Sequence, residues 1–122
     1  MASILVIDDD NDLRTVICSI LESVGHDVRQ AEEGGAGLKQ FLENPADLVL
    51  TDLIMPGQEG VKTIIELRKA STDVPIVAMS GGGQGEPGQF LHMAGKLGAS
   101  VMLEKPFSRD LLLETIVELL ES

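Results

Sequence analysis

The chain has 122 residues, a formal net charge of -11, 43% hydrophobic and 24% charged residues, one Cys, and neither Trp nor Tyr. That length suits one domain with a full core, and the balance of apolar and charged residues argues against disorder. The charge repels nucleic-acid backbones, no apolar run approaches the roughly 20 residues of a bilayer span, and a lone Cys18 excludes an internal disulfide or a Cys-based zinc site.

A basic start and an h-region with a cleavage site are both missing from the N-terminus, so a cytoplasmic location is expected, with no membrane and no nucleic-acid partner. In chain order, the apolar run Ile4–Ile7 ends in Asp8, Asp9 and Asp10. Leu13, Val16, Ile17, Ile20, Leu21 and Val24 then form one helical stripe, closed by Gly25 as a C-terminal cap. Asp10 and Asp12 read as cap and first-turn residues of that helix. Residues Asp27–Ala31 alternate like a half-exposed edge strand, and the glycine-bearing stretch Gly34–Glu43 follows as a helix.

Leu48–Leu50, Ile76–Met79 and Val101–Leu103 resemble the first run: short, aliphatic and not alternating, as strands covered on both faces should be. Val61, Ile64, Ile65 and Arg68 mark a third helix, and Glu86–Leu97 a fourth with Pro87 in its first turn. Leu112, Leu113, Ile116, Val117 and Leu120 mark the last. Leu111 and Leu119 exceed what one stripe can bury, which makes a partner or dimer face on that helix an alternative to extra core. Five strand–helix units in alternation predict an α/β domain, a doubly wound parallel sheet with five helices, over residues 1–122. With the last helix running almost to Ser122, no second domain is expected.

Chemistry in such a sheet collects beyond the carboxyl ends of the strands. There the sequence places Asp8-Asp9, Thr51-Asp52, Met79-Ser80 and Glu104-Lys105-Pro106. If the first and third strands are neighbours, Asp9 and Asp52 face each other across the rim. Gathered carboxylates suit a hard cation, and Mg²⁺ takes one or two of them alongside water and phosphate oxygens. Ser80 adds a hydroxyl and Lys105 a fixed cation. Together they suit phosphoryl transfer onto an aspartate, with Asp52 supplying the attacking oxygen.

The bland readings are a turn residue for Asp52 ahead of Met55-Pro56-Gly57, a solvated charge for Lys105 and a local cap for Ser80. Convergence of all three weighs against them. Gly83-Gln84-Gly85-Glu86-Pro87-Gly88 spells G-x-G-x-x-G, but it follows the fourth strand beside acidic groups, so a mobile loop is the better reading. His26 and His92 lack partners at ligand spacing and read as surface residues, and Cys18 as a small buried hydrophobe.

The segments ILVIDDD, LVLTDLIMPGQEG, PIVAMSG and GASVMLEKPF resemble the receiver domain of two-component response regulators over essentially the whole chain. The resemblance implies a flavodoxin-like fold with strand order 2-1-3-4-5, Mg²⁺, and phosphoryl transfer from a histidine kinase or phosphotransfer protein. It implies Asp52 as phosphoacceptor, Asp9 as a direct metal ligand, Asp8 acting mainly through metal-bound water, and the backbone carbonyl of Ile54 as a further ligand. Ser80 is then the switch hydroxyl, Lys105 the phosphate-binding lysine, and Lys105-Pro106 a cis peptide.

Two departures stand out. Met102 occupies the place usually held by an aromatic switch residue, and a thioether lacks a ring's in-or-out geometry. Ile54 is apolar where polar residues are also common, which is expected to hinder the attacking water and prolong the phosphorylated state. The expected protein is a single-domain regulator, monomeric or weakly dimeric, acting on an unidentified downstream protein and catalysing only its own phosphorylation and dephosphorylation. A phosphorelay intermediate and an unphosphorylated pseudo-receiver that only binds partners are the alternatives. A metal-dependent phosphatase lacks its second acid, since Ile54 stands there, and a flavin module lacks phosphate-binding hydroxyls after the first strand.

Overall fold

Ile4, Leu5, Val6 and Ile7 are all fully buried, which a strand achieves only where helices cover both faces of its sheet. They form β1 (Ser3–Ile7) in a computed structural model that describes residues 2–53, 59–81, 96 and 98–121. The other strands are β2 (Asp27–Ala31), β3 (Leu48–Asp52), β4 (Ile76–Gly81) and β5 (Val101–Lys105). The helices are α1 (Asn11–Ser23), α2 (Gly34–Glu43), α3 (Glu59–Ala70) and α4 (Arg109–Glu121). All pairings are parallel, in the order β2-β1-β3-β4-β5.

Alternate strand residues feed two cores. Leu5, Ile7, Val49, Ile76 and Ala78 pack with Phe41 of α2 and with Ile64 and Leu67 of α3. Ile4, Val6, Leu48, Leu50, Val77 and Met79 pack on the opposite face with Ile17, Cys18 and Leu21 of α1 and with Leu112 and Ile116 of α4. The result is a three-layer α/β/α sandwich, the arrangement that the alternating elements predict. Four helices lie among the described residues; the expected fifth, Glu86–Leu97, falls outside them apart from Lys96. His92 and the glycine-rich stretch after Gly81 also lie outside.

Several local expectations need adjusting. The buried face of α1 is Arg14, Ile17, Cys18 and Leu21. Val16, which the stripe put inside, is 54% exposed, and Val24 is exposed too. Leu13 and Ile20 flank the buried row on one side only, so the stripe is rotated toward Arg14 and Cys18. Gly25 does close the helix: at φ 96 it occupies the left-handed region, and its N–H donates to Glu22 O at 3.0 Å while that of His26 donates to Leu21 O at 3.2 Å.

β2 is the half-exposed edge the alternation predicts. β5 forms the opposite edge and is only partly covered, unlike the doubly covered strand its apolar run suggests, because it has a single neighbour. On α4, Leu112 and Ile116 are buried while Leu111 and Val117 stand exposed. His26 is half-buried and accepts a hydrogen bond from Ala2 N through Nδ1.

Candidate metal centre

The register of the sheet sets the site. Ile7 pairs with Thr51 and Asp52 with Met79, so Asp8, the residue that follows β1, comes level with Asp52 at the carboxyl rim. On the other side of β4, Ser80 pairs with Glu104 and Gly81 with Lys105. Asp8, Asp52 and Ser80 are buried, Asp9 is exposed, and one carboxylate oxygen from each of Asp8, Asp9 and Asp52 lies within 4.8 Å of the others. Asp8, rather than Asp9, is therefore opposite Asp52, and Asp9 joins from the turn beyond the strand.

Lys105 reaches this rim from β5. Its Nζ lies 3.1 Å from Asp8 Oδ2 and 3.4 Å from Asp52 Oδ2. The Lys105–Pro106 peptide bond is cis. Three carboxylates facing one ammonium leave a formal charge of −2, which is the complement of one divalent ion. A Mg²⁺ ion bound at about 2.1 Å brings its oxygens to within roughly 4.2 Å of one another, so the observed spread needs only a small closure. Hard, anionic oxygen donors of this kind fit Mg²⁺, and Asp8, Asp9 and Asp52 would hold it. The carbonyl of Ile54 lies outside the described residues.

Two backbone features fix the phosphoacceptor candidate. Leu53 N donates to Met79 O at 2.7 Å, carrying the β3–β4 ladder past Asp52. Gly60 of α3 packs directly on this stretch: a Cβ added there would lie 2.2 Å from Leu53 O and 2.5 Å from Asp52 O. No side chain fits that gap, so glycine is what lets α3 approach the end of β3. Ser80 presents a different feature. Its Oγ is buried and has no hydrogen-bond partner among the described residues. A buried hydroxyl left in that state costs about 1–3 kcal/mol, a penalty an incoming anionic oxygen would remove.

Asp8 is held on every side. Its Oδ1 accepts from Asp10 N at 2.9 Å, its N donates to Ala31 O at 3.1 Å, and its carbonyl accepts from Arg14 Nη1. Asp10 caps α1 by accepting from Leu13 N at 3.1 Å, as the sequence predicts. Met102 projects from β5 and is 36% exposed. Arg14 and Gly60 escaped the sequence reading. The signal for Arg14 was an arginine on the row of Ile17, Cys18 and Leu21, one turn after the aspartates; Gly60 gave none, because its role depends on a neighbour in space.

The family is decided by residues 4–117, which match the response regulator receiver domain. The chain belongs to that family. This receiver domain is 35% identical over 108 residues to the CpxR homolog of Haemophilus influenzae, a transcriptional regulatory protein, covering 88% of the chain and 45% of that protein. It is 32% identical over 108 residues to the phosphate regulon regulator PhoB of Escherichia coli, covering 86% and 45%. Among solved structures, the receiver domain of NtrX from Brucella abortus superposes with a TM-score of 0.90 at 30% identity, covering 98% of both chains. A CheY-like receiver domain protein from Methanospirillum hungatei gives 0.86 at 30% identity, covering 99% of this chain and 94% of that one.

The chain spans between 16% and 45% of the length of curated relatives such as these. Receiver domains generally bind Mg²⁺ at an acidic pocket, and Asp8, Asp9 and Asp52 form such a cluster here. Membership implies an interaction with a histidine kinase or phosphotransfer partner. No helix among the described residues is long and apolar enough to cross a membrane.

Proposed function

We propose that this receiver domain is a phosphorylation switch in which Asp52 accepts a phosphoryl group from the phosphohistidine of a sensor kinase or phosphotransfer protein. A carboxylate oxygen of Asp52 attacks phosphorus, the P–N bond breaks, and the imidazole nitrogen leaves with the electron pair. Lys105 stands beside Asp52 and Asp8, where its ammonium would balance charge on the phosphoryl oxygens. Mg²⁺, when bound by Asp8, Asp9 and Asp52, would supply further neutralisation of those oxygens. The orphaned Ser80 hydroxyl would then donate to a phosphoryl oxygen, drawing the end of β4 toward Asp52.

Asp52 is thus the group modified, and the protein is its own substrate rather than an enzyme acting on others. The switch would be read by a protein, since a net charge of −11 disfavours direct contact with nucleic acid. The reading rests on one observation above all: an ammonium and three carboxylates, from three strand ends far apart in sequence, meet at one rim.

Incubation with Mg²⁺ and phosphoramidate, followed by mass spectrometry, tests it. An acid-stable, base-labile phosphoryl adduct on Asp52 is expected. An adduct mapped elsewhere would remove Asp52 as the acceptor, and none while metal is bound would leave a binding module that works without phosphorylation.

A further inference from the structure

Arg14 is only 7% exposed, a rare condition for arginine in a domain of this size. Burial of this kind needs partners for every donor, and each guanidinium nitrogen reaches a different segment. Nη1 donates to the carbonyl of Asp8 at 2.5 Å, Nη2 to Asn11 Oδ1 at 2.6 Å, and Nε to Gln30 Oε1 at 3.0 Å. All three acceptors are neutral. Among the described residues, the carboxylate within ion-pair reach is Glu32, at 3.7 Å and with its side chain 76% exposed, a pairing that solvent renders weak. The guanidinium is spent on geometry: it ties the end of β1, the first residue of α1 and the edge strand β2 into one unit.

We propose that Arg14 is a positioning residue for the metal, holding the Asp8–Asp9 peptide in the one orientation that keeps both carboxylates turned toward Asp52. Asp8 and Asp10 flank Asp9 and are each anchored, Asp8 through its carbonyl on Arg14 and Asp10 through its N–H on Asp8 Oδ1. Exposed Asp9 takes its direction from those two anchors. Release of the Asp8 carbonyl would let the peptide plane rotate, and repulsion among adjacent aspartates would then open the cluster. Arg14 binds the carbonyl of Asp8, whose carboxylate oxygens are taken by Asp10 N and Lys105 Nζ, and so acts on the cluster through the backbone.

This inference rests on the metal reading above, and Mn²⁺ as probe separates the two. Free Mn²⁺ is followed by electron paramagnetic resonance, since the chain has no Trp or Tyr to report binding. Arg14→Met and Arg14→Lys should both weaken Mn²⁺ by about tenfold, the usual scale for a group that orients a ligand. Phosphorylation of Asp52 by phosphoramidate should slow at limiting Mg²⁺ and return to the wild-type rate at saturating Mg²⁺. Wild-type affinity in Arg14→Lys would mean that charge alone suffices, and would overturn positioning. A lowered urea midpoint with unchanged Mn²⁺ affinity would reduce Arg14 to a structural residue, and a rate still depressed at saturating metal would place its effect after binding. Should Arg14→Met fail to fold, Arg14→Lys and Asn11→Ala decide, the second being expected to weaken Mn²⁺ in the same direction. A wild-type protein that binds no Mn²⁺ would sink the metal reading itself, whereas tight binding by every variant would sink only the role of Arg14.

Discussion

Nζ of Lys105 lies 3.1 Å from Oδ2 of Asp8, two residues separated by 97 positions that the sheet carries to one rim. Asp8 is fully buried and the Lys105 side chain largely so, which makes this a counter-ion to a buried charge and not a solvated surface pair. Replacing Lys105 by Met leaves three gathered carboxylates with no ammonium beside them. A loss of about 3 kcal/mol is expected in the presence of a chelator, the scale for stripping one partner from a buried pair. It would be read as a lower urea midpoint at unchanged slope. Adding Mg²⁺ should recover more stability in Lys105→Met than in wild type, because the ion then meets an uncompensated cluster. An equal loss with and without metal would show that the ammonium does not act as counter-ion to the carboxylate cluster.

Ser80 should behave in the opposite sense. Its hydroxyl is buried without a partner among the described residues, so Ser80→Ala removes an unsatisfied group along with its desolvation penalty. Thermal melting of the unphosphorylated protein should be unchanged or stabilised by up to about 1 kcal/mol. Phosphoramidate with Mg²⁺ should raise the melting midpoint of wild type more than that of Ser80→Ala. A clear destabilisation before phosphorylation would show that the hydroxyl is already engaged.

How far the fold was legible follows from the kind of contact each residue makes. Strand positions, their parallel direction and the acidic residues at their ends follow from local runs and from what ends them, as Ile4–Ile7 followed by Asp8 illustrates, whereas the strand order comes from the family resemblance. The edge position of β2 could be read from its alternation. The face of α1 could not: the row through Val16 and Val24 and the row through Arg14 and Cys18 overlap at Ile17 and Leu21, and only packing against Val6 and Leu50 chooses the second. Asp8 and Asp9 could not be ranked either, since the register that sets Asp8 level with Asp52 is a relation between strands. The partly exposed β5 is a similar case, as an aliphatic run carries no mark of being the outermost strand.

The packing of Gly60 gives a prediction of purely steric origin. Gly60→Ala places a carbon within van der Waals contact of backbone atoms, Leu53 O and Asp52 O, which cannot swing aside as the end of a side chain can. α3 must retreat or the end of β3 must bend. A destabilisation of about 1–3 kcal/mol is expected, in line with overpacking elsewhere, and Asp52 should be phosphorylated more slowly because its backbone has shifted. Gly35→Ala makes the useful control, since its added carbon would meet only the end of the Glu33 side chain, at 3.9 Å. Equal rates of Asp52 phosphorylation in Gly60→Ala and Gly35→Ala would show that the α3 contact does not set the position of the phosphoacceptor.

Cys18 supplies a dependence on pH. Burial against α4 and the strands pushes its thiol up from 9.0 to about 11, with the nearby Glu22 carboxylate acting in the same direction. The unfolded thiol therefore loses its proton first as pH rises, and the folded state is the one that binds more protons between about 9 and 11. Stability from this group is complete below pH 9 and declines through that window, at roughly 1.4 kcal/mol per unit of difference. The measurement is the gap between wild type and Cys18→Ala, in which contributions from the rest of the chain cancel. At pH 8 the variant should be less stable by about 1 kcal/mol for the methyl-sized void it leaves. By pH 11 the gap should have closed or reversed, because only wild type carries the thiol. Urea midpoints taken at intervals from pH 8 to 11 would show it, and a constant gap across that range would mean that the thiol ionises as readily in the core of α1 as in the unfolded chain.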